Sequence, residues 1–499
     1  MINWLTVGYF AFLVETAAAF AISVLVVRGL SVEDFGAYKL ASSIIMFGSY
    51  ATSCGLDATL QRFGAELVAT KRFAHLFKLL RYVRLVRVAA LLIFCGGLLL
   101  FREPLAEAFH FTDSLQQVLL VVCGVLIVQS TNQMNGFTFF AVRGSPIDSS
   151  VLRSLAALLR LAGISIAVIA SLGLGGILGG TLAAGVLAFS YVLFRNWNWR
   201  RSLPVTEHVP LEGGAVAYRA RIIRYSLVGY LAVNVNVFRD LAIDLFVIAW
   251  FLGPQDVAIY GMATTLIMFA NALNPAALLR GVINPLVVAE HVTTTDDSYL
   301  PRTFLLLSKA VVTLYFPLVV FLMVLGDAVI SVFYSPQLAP AYQCLLVMCA
   351  FGFFQSLTYP FGPLIAALEK NTLLFLSSAT SIFNLGMSIV LVPRIGVVGA
   401  AVATGLASVL HLMLYWLVFR YGVRLKLVFP SKAVLRTAIN LIPPVALAVL
   451  ARPYLDNALN LLLVTFAGAG LYGLAMYWNH DLSVDELAML RKATAGRKA

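Results

Sequence analysis

The stretch GLSVEDFGAYKLASSIIMF at residues 29–47 recurs as FLGPQDVAIYGMATTLIMF at residues 251–269. Seven aligned positions are identical, among them Tyr38 with Tyr260, and each pair is 222 residues apart. A second match, at an offset of 220, places Gly176, Gly179, Ala183 and Gly185 on Gly396, Gly399, Ala403 and Gly405. Two matches at nearly one offset predict an internal repeat whose unit holds about six membrane spans.

The composition indicates that lipid is the solvent of this chain. Of 499 residues, 61% are hydrophobic and only 12% are charged, and the mean hydropathy is +0.91. A soluble domain carries roughly a quarter charged residues, so this chain has too little polar surface for a globule of its size. The sequence therefore predicts a polytopic membrane protein.

Apolar runs long enough to cross a bilayer recur along the whole chain, and we count fourteen predicted spans. These spans are 5–27, 38–57, 83–101, 115–141, 151–172, 175–194, 225–250, 258–279, 303–325, 341–367, 372–392, 396–419, 433–452 and 458–478. Most of the 35 Lys and Arg residues lie on one side if the N-terminus is inside. The excess of Lys and Arg in cytoplasmic loops predicts that both termini are cytoplasmic.

The net charge of +12 follows from these basic loops, and no soluble module with base-stacking aromatics points to nucleic acid. The predicted fold class is all-α, with two six-helix lobes related by a parallel repeat and two appended C-terminal spans. The predicted divisions are a first lobe at 1–195, a cytoplasmic linker at 196–224, a second lobe at 225–420, two appended helices at 421–480 and an amphipathic tail at 481–499.

The five cysteines lie in or beside apolar runs and form neither a CxxC motif nor a Cys/His cluster. They are interpreted as small core residues, because metal sites and disulfide frameworks use recognisable spacings. No metal and no cofactor are expected.

Three short motifs resemble those of Wzx-type polysaccharide flippases. The motifs are Arg28-Gly29-Leu30 followed by Asp34-Phe35-Gly36-Ala37-Tyr38, Leu252-Gly253 followed by Ile259-Tyr260-Gly261-Met262-Ala263, and PRIGVVGAA at 393–401. The resemblance covers roughly residues 1–420. It implies the fold that these flippases share with the MATE exporters and the lipid II flippase. The charged first-loop motif and acidic Asp-Ala-Phe segment of the lipid II flippase do not stand out in this sequence.

The seventh predicted span carries a polar stripe. Asn236, Asp240 and Asp244 recur every four residues and so share one helix face, while Arg239 lies about 100° away. Ionisable groups inside a membrane are costly and by default mark functional sites. One interpretation is a hydrated cavity between the lobes, and the other is a closed structural network that locks this span to its neighbours.

Four further residues within or beside spans are candidate site residues. Glu15 lies midway along the first span, and in a MATE-like architecture it would pair with Arg239; the alternative is a protonated Glu15 inside its own lobe. Arg160 lies mid-span. Arg62 and Arg280 follow the second and eighth spans, where an arginine suits a diphosphate or equally a lipid phosphate.

An unusually polar segment lies in the fourth predicted span, at Gln129, Asn132, Gln133 and Asn135. Polar residues in a membrane bundle either line a cleft or form hydrogen bonds between helices. Both interpretations stay open at the level of sequence.

The resemblance implies a flippase that moves a polyprenyl-diphosphate oligosaccharide from the cytoplasmic to the outer leaflet of the inner membrane. Membrane lipids, a polysaccharide polymerase and glycosyltransferases would be its partners. The alternative is a MATE-like antiporter of small molecules, with Glu15, Asp240 and Asp244 as proton or sodium sites. An enzyme is not expected, because the sequence has no catalytic triad, metal cluster or phosphate-binding loop.

Overall fold

Helices form the architecture, because hydrocarbon offers no hydrogen-bond partner to an open backbone. The structure is a computed structural model, and no strand occurs among the residues that it describes. The described residues are 4–203, 220–227, 230, 241–274, 287, 290, 298–368, 373 and 375–479. The long helices are α1 (Trp4–Gly29), α2 (Val32–Ala51), α3 (Phe73–Leu100), α4 (Asp113–Asn132), α5 (Pro146–Ile169), α6 (Gly173–Arg201), α7 (Leu241–Phe251), α8 (Pro254–Ala272), α9 (Tyr299–Val329), α10 (Ala341–Ser356), α11 (Phe375–Ile395), α12 (Val397–Leu417), α13 (Ser431–Asn440), α14 (Ile442–Ala451) and α15 (Ala458–Trp478).

Within the described ranges, ten helical segments are long and apolar enough to cross a membrane. The protein is therefore a multi-pass membrane protein. One of the ten is the segment Ser431–Tyr454, in which α13 and α14 are separated at Leu441. Two prolines in the first turn of α14 explain the break, because proline cannot donate a backbone hydrogen bond. The count of fourteen spans and the position of the termini stay predictions.

The predicted starting residues of α2 and α3 were wrong. Helix α2 begins at Val32 rather than residue 38, because the Ser31 side chain caps it by accepting the Asp34 backbone N–H at 3.1 Å. Helix α3 begins at Phe73 rather than residue 83. Much of the stretch at 58–82, between the second and third predicted spans, is thus helical. Its basic residues are compatible with this, because Lys and Arg have high helix propensity.

Contacts divide the chain into an N-terminal unit, Met1–Ala258, and a C-terminal unit, Ile259–Ala499. Within the N-terminal unit, α5 packs on both α1 and α6, and α4 packs on α2 and α6. Gly163 and Gly180 let α5 and α6 touch backbone to backbone, because a Cβ on either would come within 2.7 Å of the other's carbonyl oxygen. Such close approach is typical of small residues at membrane helix interfaces.

Within the C-terminal unit, α12 packs on α10 and α11, and α9 packs on α10 and α13. Polar contacts attach the last helices to α9. Arg452 donates to Asp327 at 2.6 Å, and the Tyr472 hydroxyl donates to the Thr313 carbonyl at 2.7 Å. The helices appended after the predicted second lobe therefore belong to this unit.

Candidate anion-binding site

The candidate site is built on the turn that follows α2. This turn is formed by residues 52–55. Short helical segments follow it from Leu56 to Ala69, and the π-helical one at Leu60–Gly64 carries Arg62. A π turn holds an extra residue and so shifts the direction of the side chains that it carries; such turns are frequent at functional sites. Phe63, the next residue, is buried in the core of the N-terminal unit.

A second helical segment, residues 220–227, packs on the same turn. Gly55 has φ +66°, a left-handed conformation, and leaves no room for a Cβ, which would come within 2.1 Å of the Ser226 carbonyl oxygen. The hydroxyls of Thr59 and Ser226 are 2.6 Å apart, and Ile222 is buried beside Phe63. The turn therefore fixes the position of this segment relative to Arg62.

Three arginines meet where the two segments join. Arg62, Arg221 and Arg224 line a cavity of about 460 Å³, together with Phe63, Ala220 and Tyr225. The Arg221 guanidinium lies 5.2 Å from the centre of the Phe63 ring, and that ring meets Tyr225 edge to face at 5.5 Å. We call this cavity the three-arginine pocket.

One carboxylate faces this positive charge. Arg62 Nη1 lies 3.5 Å and Arg221 Nη2 3.7 Å from the same Oε2 atom of Glu66. Arg62 and Arg221 keep 54% and 55% of their side chains exposed, so both can still reach a ligand. Among the described residues, three guanidinium groups lie against one carboxylate, which makes their combined charge positive, and the planar fork of arginine suits a phosphate group.

An ion pair between a buried arginine and a partly exposed aspartate supports the turn. Arg87 of α3 is only 2% exposed, donates to the Ser49 carbonyl at 3.1 Å and lies 3.9 Å from Asp57. Thr138 donates to the other carboxylate oxygen of Asp57 at 3.2 Å. Sequence reasoning did not select Arg87 as a site residue. Its signal was its place inside a predicted span, between Val86 and Val88.

Two residues of the polar segment at the end of α4, Asn132 and Asn135, form hydrogen bonds between helices, which is one of the two interpretations left open by the sequence. Asn132 donates to the Gly185 carbonyl at 2.9 Å, and Asn135 accepts from Arg84 at 2.6 Å. Asn196 in turn donates to the Asn135 carbonyl at 2.9 Å. These bonds attach α4 to α3 and α6 within the N-terminal unit.

A second ion cluster joins α5 to α6. Asp148, at the start of α5, accepts from Arg195 at 2.8 Å and from Arg143, and it is 5% exposed. The Tyr191 hydroxyl also donates to Asp148, at 3.3 Å. Because every charge in it has a partner, this cluster is interpreted as structural.

The other predicted site residues fall into four groups. Glu15 is exposed on α1 and forms no hydrogen bond or ion pair within the described part of the chain. Asp244 is fully buried and interacts with another residue, and both interpretations of the polar stripe stay predictions. Arg160 donates to the Tyr38 hydroxyl at 3.0 Å. The remaining predicted residues, Asn236, Arg239, Asp240 and Arg280, lie outside the described residues.

No group of three or more His, Cys, Asp or Glu side chains that could hold a metal ion occurs in the ranges described. The guanidinium groups of the three-arginine pocket are donors of charge-assisted hydrogen bonds.

Several solved structures share this fold. The lipid II flippase MurJ, in an inward closed conformation, superposes with a TM-score of 0.72 at 15% identity, over 96% of this chain and 99% of that one. A multidrug resistance MATE family transporter of the MOP superfamily, facing inward, gives 0.60 at 15% identity, over 82% and 94%. A MATE protein in the bent conformation gives 0.54 at 16% identity, over 87% and 95%. The fold class is thus that of MATE-like and MurJ-like membrane proteins.

The family of polysaccharide biosynthesis proteins matches residues 25–343, more than half of the chain. The chain belongs to this family, and the resemblance to Wzx-type flippases seen in its motifs is confirmed. No curated protein matches the sequence.

Proposed function

We propose that this protein is a flippase that moves a polyprenyl-diphosphate oligosaccharide from the cytoplasmic to the outer leaflet of the inner membrane. The observation that carries the proposal is the three-arginine pocket. A sugar diphosphate cannot cross hydrocarbon unaided, since unpaired charge in lipid costs several kcal/mol. The partly exposed guanidinium groups can form with the diphosphate the hydrogen bonds that water forms with it in solution.

Glu66 gives the pocket a way to exchange partners. In the structure it lies within ion-pair distance of both Arg62 and Arg221. An arriving diphosphate would displace this single carboxylate and occupy the guanidinium forks in its place. Because the arginines are half-exposed, the exchange requires no opening of the core, and Glu66 can return when the cargo leaves.

The rest of the transport cycle is part of the same proposal. Two repeat-related lobes, at 1–195 and 225–420, would alternate access to the two leaflets, with both termini cytoplasmic. Arg239 would hold the diphosphate deeper in the membrane, and Glu15 or Asp240 would pair with Arg239 between cycles. A polysaccharide polymerase and glycosyltransferases would consume and supply the cargo.

The alternative, a MATE-like antiporter, is supported by one feature. Glu15 exposes a carboxylate in the middle of α1, and an exposed mid-membrane acid suits a proton or a cation. The positive charge of the three-arginine pocket opposes this alternative, since it repels the cationic substrates that an acidic cleft would attract.

The test is restoration of surface polysaccharide in a flippase-null cell. We expect the double variant Arg62→Gln with Arg221→Gln to fail to restore it at a normal level of membrane-inserted protein. The matched control is Arg201→Gln, which removes an exposed arginine that stacks on Trp197 outside the pocket. Full restoration by the double variant would overturn the diphosphate role. Cation export that depends on Glu15 would instead favour the antiporter.

A further inference from the structure

A second set of positively charged donors lies at another level of the N-terminal unit. Arg160 is on α5, nine residues before the helix ends at Ile169, which is about 14 Å along the axis. Its Nη2 donates to the Tyr38 hydroxyl at 3.0 Å, and its Nε is buried without a hydrogen-bond partner in the described structure. No acidic residue within the described ranges forms an ion pair with Arg160.

Lys39 adds a second positive charge at this level. It follows Tyr38 in α2, and its ammonium group lies 5.4 Å from the centre of the Phe35 ring. The positive charges of Lys39 and Arg160 repel each other. Lys39 also has a further contact of its own, so the donors assigned to a ligand are those of Arg160 and Tyr38.

The chemistry of these groups selects an anion. Tyr38 accepts from Arg160, which leaves its own O–H free to donate. Guanidinium N–H groups and a phenol O–H are all donors, and no carboxylate in the described structure pairs with Arg160. A positive charge without an acidic partner is costly within a membrane span, so an anionic ligand would stabilise it.

The predicted repeat indicates that these positive charges are not required by the fold. The first match, at an offset of 222, aligns Tyr38 with Tyr260 and places Gly261 at the position of Lys39; the second, at 220, places Thr380 at that of Arg160. The second copy therefore keeps the tyrosine and lacks both cations.

We infer that Arg160 and Tyr38, with Lys39 beside them, form a second site for phosphate oxygens. The inference rests on the proposed function: the cargo's diphosphate would pass to this site after leaving the three-arginine pocket. The two sites lie towards opposite ends of α2, since Tyr38 is thirteen residues, about 20 Å, from the end of α2 at Ala51, beyond which Arg62 lies. The same oxygens could come from the headgroup of a bilayer phospholipid.

The experiment measures binding of inorganic pyrophosphate to the full-length protein in phosphatidylcholine nanodiscs by calorimetry. We expect two sites. Arg160→Gln should weaken one of them about tenfold or more, because a hydrogen bond to a charged group is lost. Tyr38→Phe should weaken the same site several-fold. The control Arg153→Gln removes an exposed arginine one heptad earlier on α5 and should change neither site.

Further variants separate the inference from the proposed function. Arg62→Gln with Arg221→Gln should remove the other site and leave the one that depends on Arg160. If Arg160→Gln does not fold, Arg160→Lys and Tyr38→Phe decide the question. Unchanged pyrophosphate binding in these variants would overturn the second site, even if the three-arginine pocket proves essential for transport.

The remaining arm replaces part of the phosphatidylcholine with phosphatidylglycerol. If this lipid stabilises the protein through Arg160 while pyrophosphate fails to bind there, the oxygens come from a headgroup. That outcome would overturn the role of the site in moving the diphosphate.

Discussion

Arg87 and Asp57 form an ion pair, with 3.9 Å between Arg87 Nη1 and a carboxylate oxygen of Asp57; the Arg87 side chain is 2% exposed and that of Asp57 28%. Asp57 lies in the chain between Gly55, on which residues 220–227 pack, and Arg62. The positions of all three pocket arginines thus depend on the segment that this pair holds.

Removing one member of this pair should be worse than removing both. Asp57→Asn leaves a buried guanidinium without a counter-charge, and we expect a loss of about 3 kcal/mol in stability. Asp57→Asn combined with Arg87→Met should recover part of that loss, because no unpaired charge remains. Thermal unfolding in detergent measures the difference. A double variant less stable than Asp57→Asn alone would contradict this account.

Glu66→Gln should strengthen pyrophosphate binding at the three-arginine pocket. The carboxylate competes with the ligand for Arg62 and Arg221, and a neutral amide competes less. We expect a gain of about three- to tenfold in affinity, in line with the modest strength of exposed ion pairs. Calorimetry on the purified protein provides the measurement. Glu103→Gln is the control, because it removes an exposed carboxylate that pairs with Arg102 and does not line the pocket.

Salt should weaken binding at the three-arginine pocket. Arg62 and Arg221 are more than half exposed, and exposed charges are screened within about 8 Å at physiological ionic strength. We expect pyrophosphate affinity to fall steadily between low and high salt, and Arg224→Gln to lessen that dependence. An affinity independent of salt would show that guanidinium charge does not hold the ligand.

The crossing of α5 and α6 should not tolerate a side chain. A Cβ at Gly180 would lie 2.6 Å from the Gly163 carbonyl oxygen, so Gly180→Val must push the two helices apart. We expect a marked fall in melting temperature and in membrane-inserted protein. The neighbouring Gly179→Ala provides the control, because nothing lies within 4 Å of its Cβ. Equal melting temperatures for the two variants would contradict the close packing.

Membrane topology can be tested with single cysteines in a background without the five native ones. A cysteine at Ser114 should react with an impermeant thiol reagent added outside intact cells. A cysteine at Arg201 should react only after the membrane is opened. Equal labelling of both in intact cells would contradict cytoplasmic termini.

The sequence by itself determined that this protein lies in a membrane, that it is helical and which family it belongs to. Hydropathy, charge and short motifs are local properties, so a stretch such as 29–47 shows them without any tertiary contact. For the same reason Arg62 could be selected as a cation beside the end of a span. Asn132 and Asn135 could be recognised as polar residues in a membrane span, but not assigned their partners.

Only the tertiary structure decided which charges meet. Arg221 and Arg224 lay in what the sequence predicted to be a linker, and packing of residues 220–227 on the turn at Gly55 brings them to Arg62. Arg160 reaches Tyr38 across 122 residues. Such pairings follow from helix packing over long separations, and neither periodicity nor charge counting encodes a partner. The composition supplies the positive charge, and the packed fold brings three arginines to one pocket.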